Sequence, residues 1–247
     1  MSDVMTTELT MLAGADGDQI QGYLAQPDLP SPRGAMVVLH HMPGFDRATK
    51  EITRRFATFG YNALCLNLYW REAPDALPDD AAAIARARGG VPDARLVGDV
   101  QGAADFLRAL PSSNGRVGVI GYCSGGRQSV LAGCTVDLDA VIDCYGAFVT
   151  GTPGENFPLK VTNLNHLLPD LRAPLLGLFG VEDIYPSPEH VAELEQILTE
   201  HGKIHELITY DDAGHGFFAP DRAMYRVAAS NAGWLEIESF LAANLGS

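Results

Sequence analysis

Hydrophobic residues in this chain occur in short, nearly continuous runs that alternate with longer stretches of helical spacing. The runs are rich in Val, Leu and Ile, which is typical of parallel strands covered on both faces. They predict strands at residues 35–40, 62–66, 116–121, 140–144, 174–180 and 205–210. Apolar positions spaced as on one face of a helix predict helices near 47–59, 93–110, 124–133, 187–201 and 222–243.

The beginning of the chain has a different pattern. Residues 6–12 and 19–25 have the composition of two strands, and the turn-forming segment 15–18 between them predicts an antiparallel hairpin. Strand–helix alternation after such a hairpin indicates an α/β fold with a mostly parallel central sheet and helices on both faces. We expect a single domain over residues 1–247, a length that buries a large core.

Two segments stand apart from this alternation. Residues 71–92 are rich in Ala, Pro, Asp and Arg, and residues 150–173 are rich in Gly, Pro, Asn and Leu. Both follow predicted strands, so we expect them over the C-terminal edge of the sheet, where ligands bind in such folds. Each segment either covers a pocket there or is an ordinary surface excursion.

Composition and charge exclude several classes of function. The chain is 47% hydrophobic and 19% charged, as expected of a soluble globular protein. Its net charge of −14 and its lack of a Lys/Arg cluster argue against nucleic acid or anionic membrane as partners. The N-terminus lacks a signal-peptide pattern, and no apolar stretch is long enough for a membrane span, so we expect a cytoplasmic protein. The spacing of the four Cys predicts neither a disulfide framework nor a metal site.

The most informative motif follows the apolar run 117–120 and reads Gly121-Tyr122-Cys123-Ser124-Gly125. It matches the nucleophile elbow G-x-Nuc-x-G, with a thiol where a serine is usual. A helix beginning at Ser124 would direct its positive end at the Cys123 sulfur, which lowers a thiol pKa and favours the reactive thiolate. The alternative is a Gly-rich turn that holds a buried structural Cys.

A catalytic thiol needs a base and a group that orients the base. His215, with glycine on both sides, follows the last predicted strand, and Asp183 follows the strand before it. Both therefore belong to the same sheet edge as Cys123, in the order nucleophile, acid, histidine of the α/β-hydrolases. Asp183 as a simple helix cap, and Glu182 as the acid, are the alternatives.

The same chemistry needs an oxyanion hole. One donor is predicted to be the Ser124 backbone N–H, directly after the nucleophile. The other is predicted in the loop 40–45, where Met42 N–H is the candidate because Pro43 has no N–H. Such donors contribute roughly 3 kcal/mol each to transition-state stabilisation.

With these motifs the chain resembles the dienelactone hydrolase family, the carboxymethylenebutenolidase-like α/β-hydrolases, over nearly its whole length. The motifs concerned are the elbow with Gly126, the segment 113–118 before it, Gly60-Tyr61, Leu66-Asn67-Leu68-Tyr69 and the surroundings of Asp183 and His215. The resemblance implies an α/β-hydrolase that needs no cofactor and opens a lactone or ester through a thiol-ester acyl-enzyme. It implies Cys123 as nucleophile, His215 as base and later acid, and Asp183 as the residue that orients His215.

Two departures from the family pattern concern the substrate. The family's dienelactone hydrolases have a Glu beside the nucleophile where this chain has His41, which either pairs with the thiolate or only lines the pocket. They also hold the substrate carboxylate with Arg residues, one of them just after the catalytic His, and that Arg is missing here. The candidate substrate-binding residues are therefore His41, Arg86, Arg88, Arg222 and, for a more apolar pocket, Phe217 and Phe218.

The predicted substrate is a small-molecule ester or lactone, and the predicted assembly is a monomer or homodimer. An enolate leaves readily from a thiolate adduct, so a Cys nucleophile favours activated esters and enol-lactones. The alternatives are a carboxylesterase or thioesterase acting on apolar acyl groups, a non-catalytic ligand-binding protein on the same fold and, less favoured, a redox role for Cys123.

Overall fold

The structure of the protein, a computed structural model, describes residues 4–246. These residues form one eight-stranded sheet in the order β1-β2-β4-β3-β5-β6-β7-β8. The strands are β1 (Met5–Ala13), β2 (Gln19–Pro27), β3 (Arg33–Leu39), β4 (Asn62–Leu66), β5 (Ser113–Tyr122), β6 (Ala140–Cys144), β7 (Leu175–Gly180) and β8 (His205–Tyr210). The helices are α1 (Arg47–Thr58), α2 (Pro78–Ala87), α3 (Asp93–Arg108), α4 (Ser124–Thr135), α5 (Pro188–Glu200) and α6 (Val227–Leu245).

The sheet is parallel except at one edge. β1 pairs antiparallel with β2, and β2 pairs antiparallel with β4. The six remaining strands, in the order β4-β3-β5-β6-β7-β8, pair parallel with one another. The predicted α/β fold with a mostly parallel sheet and an N-terminal hairpin is therefore confirmed.

Both faces of the sheet are covered by helices, which explains the nearly continuous hydrophobicity of the strands. On one face, α2, α3, α4 and α5 pack through residues such as Leu96, Val130 and Leu194. On the other face, α1 and α6 pack through Phe56 and Trp234, whose rings lie 5.6 Å apart.

Two elements differ from the prediction. α2 lies inside the segment 71–92, which has no predicted helix; its first turn contains Pro78, whose missing N–H costs nothing at that position, and two Asp that favour a helix N-terminus. α6 begins at Val227 instead of 222 because the chain before it forms successive turns, with Arg222 N–H bonded to Ala219 O and Tyr225 N–H to Arg222 O.

The carboxyl ends of the parallel strands meet at one edge of the sheet, where the loops after β3, β5, β7 and β8 lie together. That edge bears the candidate site. Among the helices of residues 4–246, none has the length and apolar character needed to cross a bilayer.

Candidate active site

Cys123 occupies a strained turn between β5 and α4. Its backbone has φ 58° and ψ −119°, a conformation that a non-glycine residue rarely adopts and that costs on the order of 1–3 kcal/mol. The Cys123 N–H donates a hydrogen bond of 3.0 Å to Cys144 O at the end of β6, which fixes the turn to the sheet. The half-buried sulfur is thereby presented at the sheet edge.

The two glycines of the motif are required because backbone atoms approach them closely. A Cβ on Gly121 would lie 1.7 Å from Gly125 O, and a Cβ on Gly125 would lie 2.3 Å from Leu39 O. Both contacts are with backbone that cannot move aside. The G-x-Nuc-x-G spacing is therefore a packing requirement of this turn.

The other three cysteines have a different environment. Cys65, Cys134 and Cys144 are buried. Burial raises the pKa of Cys134 to about 12 and raises the pKa of Cys65 and Cys144 above their usual value. These three thiols are protonated at neutral pH, so Cys123 is the cysteine suited to act as a nucleophile.

His215 and Asp183 are joined by a hydrogen bond. His215 Nδ1 lies 2.9 Å from Asp183 Oδ2, and the carboxylate is 2% exposed. Asp183 Oδ1 also accepts a 2.9 Å hydrogen bond from Tyr185 N–H, which fixes the carboxylate. Because Nδ1–H is directed at the carboxylate, Nε2 is the imidazole nitrogen left for the thiol or for substrate.

The protonation of His215 depends on these neighbours. Burial favours the neutral imidazole, but the hydrogen bond to Asp183 and the proximity of the Cys123 sulfur outweigh it and raise the pKa of His215 to about 10. The imidazolium therefore persists at neutral pH beside the thiol. This is the charge arrangement that a thiolate–imidazolium pair requires.

Three cavities meet at Cys123. The insert cavity, of about 660 Å³ including space open to solvent, has walls from both segments 71–92 and 150–173, such as Val91 and Leu159. The arginine cavity, of about 510 Å³, contains His215 and Arg222. The aromatic cavity, of about 700 Å³, contains His215 and Tyr185.

The oxyanion-hole candidates lie beside the nucleophile. Ser124 is the first residue of α4, so its N–H has no acceptor within the helix. Met42 lines the insert cavity together with Ser124 and Cys123. The loop of Met42 is fixed by buried His40, whose Nδ1 lies 2.8 Å from His41 O and whose Nε2 accepts a 3.2 Å hydrogen bond from Leu68 N–H.

The side chain of His41, in the same loop, faces a carboxylate. His41 Nε2 lies 3.4 Å from Asp46 Oδ2, and His41 also lines the arginine cavity. Burial opposes ionisation of Asp46, but the nearby His41 imidazole and two hydrogen bonds from Thr49 hold the pKa of its carboxyl well below the usual range. His41 therefore has an anionic partner other than the Cys123 thiolate.

The structure brings only some of the predicted substrate-binding residues to these cavities. His41 and Arg222 line the arginine cavity. Phe217 and Phe218 are core residues, 0% and 2% exposed. The exposed side chains of Arg86 and Arg88 lie at the end of α2 and are not among the lining residues of the three cavities.

Sequence reasoning missed three residues of the insert cavity. Asp93, Arg127 and Gln128 line it. Arg127 and Gln128 follow Ser124 by three and four positions. A helix that starts at Ser124 therefore places Ser124, Arg127 and Gln128 on one face. That spacing was the available signal for the two α4 residues, whereas no local signal pointed to Asp93.

A second buried carboxyl lies behind the elbow. Asp143 of β6 is 0% exposed, and its Oδ1 accepts a 2.7 Å hydrogen bond from Gly146 N–H. In the part of the chain that the structure describes, Oδ2 has no hydrogen-bond partner. Burial raises the pKa of Asp143 to about 7.

Replacing Asp143 by Asn should change how stability depends on pH. The unfolded chain releases this proton near pH 4, whereas the folded protein keeps it up to about pH 7, so ionisation destabilises the native protein across that window. The free energy of unfolding of the native sequence, relative to D143N, should fall by roughly 2–4 kcal/mol between those pH values. Urea unfolding over a pH series measures this. Parallel curves would contradict it, and D137N, at an exposed position, is the control.

Comparison with known proteins agrees with this geometry. The profile described as "Dienelactone hydrolase family" matches residues 20–245. A protein of Escherichia coli (strain K12) named "Putative carboxymethylenebutenolidase" is 32% identical over 246 residues, which cover 94% of this chain and 87% of that protein. A Bradyrhizobium protein named "Probable 2-oxo-3-(5-oxofuran-2-ylidene)propanoate lactonase" is 26% identical over 224 residues, covering 90% and 88% of the two chains.

Solved structures show the same fold. The crystal structure of a "Putative Dienelactone Hydrolase" from Klebsiella pneumoniae superposes with a TM-score of 0.85 at 24% identity, over 97% of this chain and 99% of that one. The sheet order, the elbow and the cavities at the sheet edge define an α/β-hydrolase. Within that class the chain belongs to the dienelactone hydrolase family, and it is a dienelactone hydrolase-like hydrolase.

Proposed function

We propose that this protein hydrolyses a lactone or an activated ester through a thiol-ester acyl-enzyme, with Cys123, His215 and Asp183 as catalytic triad. The observation that carries the proposal is the Asp183–His215 hydrogen bond of 2.9 Å beside a cysteine on a strained nucleophile turn. The raised pKa of His215, to about 10, supports the thiolate–imidazolium pair.

The reaction begins with attack of the Cys123 thiolate on the carbonyl carbon. The carbonyl oxygen becomes an oxyanion that the N–H groups of Ser124 and Met42 stabilise. The carbon–oxygen bond to the leaving group then breaks, and His215 Nε2–H gives its proton to the leaving oxygen, which leaves His215 neutral. An enolate needs less help at this step than a simple alkoxide.

The second half of the reaction regenerates the free enzyme. Neutral His215 removes a proton from a water molecule, and the resulting hydroxide attacks the thioester carbonyl. Collapse of that adduct releases the carboxylic acid and the Cys123 thiolate. Asp183 stabilises the imidazolium and holds the tautomer in which Nε2 faces the reaction.

The proposal is tested by trapping the acyl-enzyme. The protein is mixed with an enol-lactone or with a para-nitrophenyl ester, quenched in acid and analysed by peptide mass spectrometry. We expect the acyl mass on the peptide that contains Cys123, with turnover of the substrate. A non-catalytic binding protein would give neither, and a serine or histidine nucleophile would place the acyl group elsewhere.

The proximity of Asp46 gives a specific expectation for His41. Because His41 Nε2 lies 3.4 Å from an ionised carboxylate, we expect His41→Ala to leave the thiolate absorbance of Cys123 at neutral pH unchanged. The measurement is the ultraviolet absorbance difference before and after alkylation. A lower thiolate signal in H41A would instead show that the His41 imidazolium pairs with the sulfur.

We also propose that the chain is a single α/β-hydrolase domain over residues 1–247. The single sheet formed by all eight strands of residues 4–246 supports this, since it leaves one layered core on each face.

A further inference from the structure

The three cavities around Cys123 differ in which catalytic groups they contain. The insert cavity contains both proposed oxyanion donors, Met42 and Ser124, whereas the arginine cavity contains Met42 alone; His215 is not among the lining residues of the insert cavity. The arginine cavity and the aromatic cavity both contain His215. A leaving group must reach His215 to receive its proton, so it lies on the side of those two cavities. The acyl group then extends into the insert cavity.

The insert cavity contains one ion pair, and that pair is internally satisfied. Arg127 is 3% exposed and forms two hydrogen bonds with the carboxylate of Asp93, of 2.8 and 2.7 Å. Its Nε and Nη2 also donate to Thr162 O, at 3.1 and 2.8 Å. An arginine whose two terminal nitrogens already bind a carboxylate has no free pair of donors for the carboxylate of a substrate.

The other lining residues add no charge for an anionic acyl group. Leu68, Val91 and Phe148 supply apolar surface. Burial raises the pKa of Tyr69 above its usual value, so its phenol is neutral; the charge of Arg86, which acts in the opposite direction, comes from outside the lining residues. A substrate carboxylate in this cavity would lose its hydration without gaining a partner among the lining residues. The net charge of −14 of the chain also repels an anionic substrate.

One uncharged polar group in this cavity lacks a partner. Gln128 is 9% exposed, and its Oε1 has no hydrogen-bond partner within residues 4–246. A buried carboxamide in that condition is costly until a ligand supplies the missing bond. Gln128 comes four residues after Ser124, which is roughly 6 Å along the helix axis. It therefore faces the part of an acyl chain that lies a few atoms from the reacting carbonyl.

We propose that the insert cavity is the acyl-binding site and that it selects uncharged acyl groups, with a hydroxyl on the acyl chain bonding to the Gln128 carboxamide. The substrate class is esters of uncharged hydroxy acids, or uncharged lactones that carry a free hydroxyl in addition to the ring oxygen. A hydroxyl both donates and accepts, so it satisfies the carboxamide in either orientation of the amide. This inference rests on the proposed thiol-ester mechanism and assigns the selectivity of the same site.

The test uses three para-nitrophenyl esters with the same leaving group and the same chain length. These are the hexanoate, the omega-hydroxyhexanoate and the monoanionic adipate. We expect kcat/KM for the hydroxyhexanoate to exceed that of the hexanoate by about tenfold. We expect the adipate to be about 100-fold worse than the hexanoate.

Two variants connect these preferences to named residues. Gln128→Leu should lower the ratio of kcat/KM for the hydroxyhexanoate over the hexanoate about tenfold, because the hydroxyl loses its partner. Asp93→Asn frees the charge of Arg127 and should raise the ratio for the adipate over the hexanoate by about tenfold. Gln196→Leu and Asp105→Asn, at exposed positions, should change neither ratio. Thermal unfolding checks that each variant is folded. If either Gln128→Leu or Asp93→Asn is unfolded, the ratio measured with the other variant still tests the proposal.

The outcomes separate the two proposals. Acylation of Cys123 by all three esters at similar kcat/KM, or fastest by the adipate, would overturn the selectivity and leave the mechanism standing. Ratios unchanged in both folded variants would overturn the assignment of the acyl group to this cavity. Absence of acylation by every ester would overturn the mechanism and this inference with it.

Discussion

Replacing Cys123 by Ala is expected to reduce hydrolysis of every ester or lactone substrate by at least about 10³-fold while the protein stays folded. The sulfur supplies the nucleophile, and without it only attack by water near the oxyanion donors remains. Alanine keeps the Cβ and the backbone of the turn at φ 58°, so the variant removes chemistry and leaves the packing of the elbow.

The measurement is initial velocity on an activated ester, with circular dichroism as the check on folding. Cys134→Ala is the matched control because that thiol lies on α4, the helix that follows Cys123, is 8% exposed and is not among the lining residues of the three cavities. C134A should retain activity even if it is slightly less stable. Activity near the level of the native sequence in C123A would show that Cys123 is a structural thiol.

The second large effect is expected for Asp183→Asn, which should lower kcat by roughly 10³–10⁴-fold. An amide at this position no longer stabilises the imidazolium, and its N–H₂ group can face Nδ1 and favour the wrong tautomer of His215. Glu182→Gln is the control, since Glu182 was the alternative acid and is exposed at the aromatic cavity. A loss of activity in E182Q equal to that in D183N would reject Asp183 as the orienting residue.

The same pair predicts a pH dependence of stability. The pKa of His215 is raised to about 10 in the folded protein, against about 6.5 in the unfolded chain. The stability that comes from the imidazolium is therefore fully present below about pH 6.5 and is lost as the pH rises through about 10. The advantage of the native sequence over D183N in free energy of unfolding should shrink across that interval. A constant difference would mean that Asp183 does not set the ionisation of His215.

Much of the fold, and the positions of the residues in the proposed triad, could be predicted from the sequence because the signals are local. The buried strands of a parallel sheet are continuous apolar runs, and the elbow needs Gly121 and Gly125 for close backbone contacts. Once strand order is known, residues just after strands must meet at one edge, which is where Cys123, Asp183 and His215 lie.

The substrate-binding residues were harder to predict from the sequence because their positions depend on contacts between distant segments of the chain. Phe217 and Phe218 follow His215 directly, yet they face the core, where the ring of Phe218 lies 5.6 Å from Trp234 of α6. Arg127 looks like a free cation in the sequence and is neutralised by Asp93, 34 residues away. Side-chain direction and pairing of this kind are set by tertiary packing, and a single sequence does not state them.

One hydrogen bond, of 2.8 Å from Lys160 N–H to Gly89 O, joins the segments 71–92 and 150–173 that wall the insert cavity. The residues of the proposed triad lie elsewhere, in the loops after β5, β7 and β8, and Gln128 lies on α4. The two joined segments therefore supply the apolar wall of the cavity, and neither the proposed chemistry nor Gln128 belongs to them. Exchanging both segments together with those of a relative is expected to change the shape of the cavity and to keep Gln128 and the triad residues in place, whereas exchanging one alone would break the hydrogen bond between them.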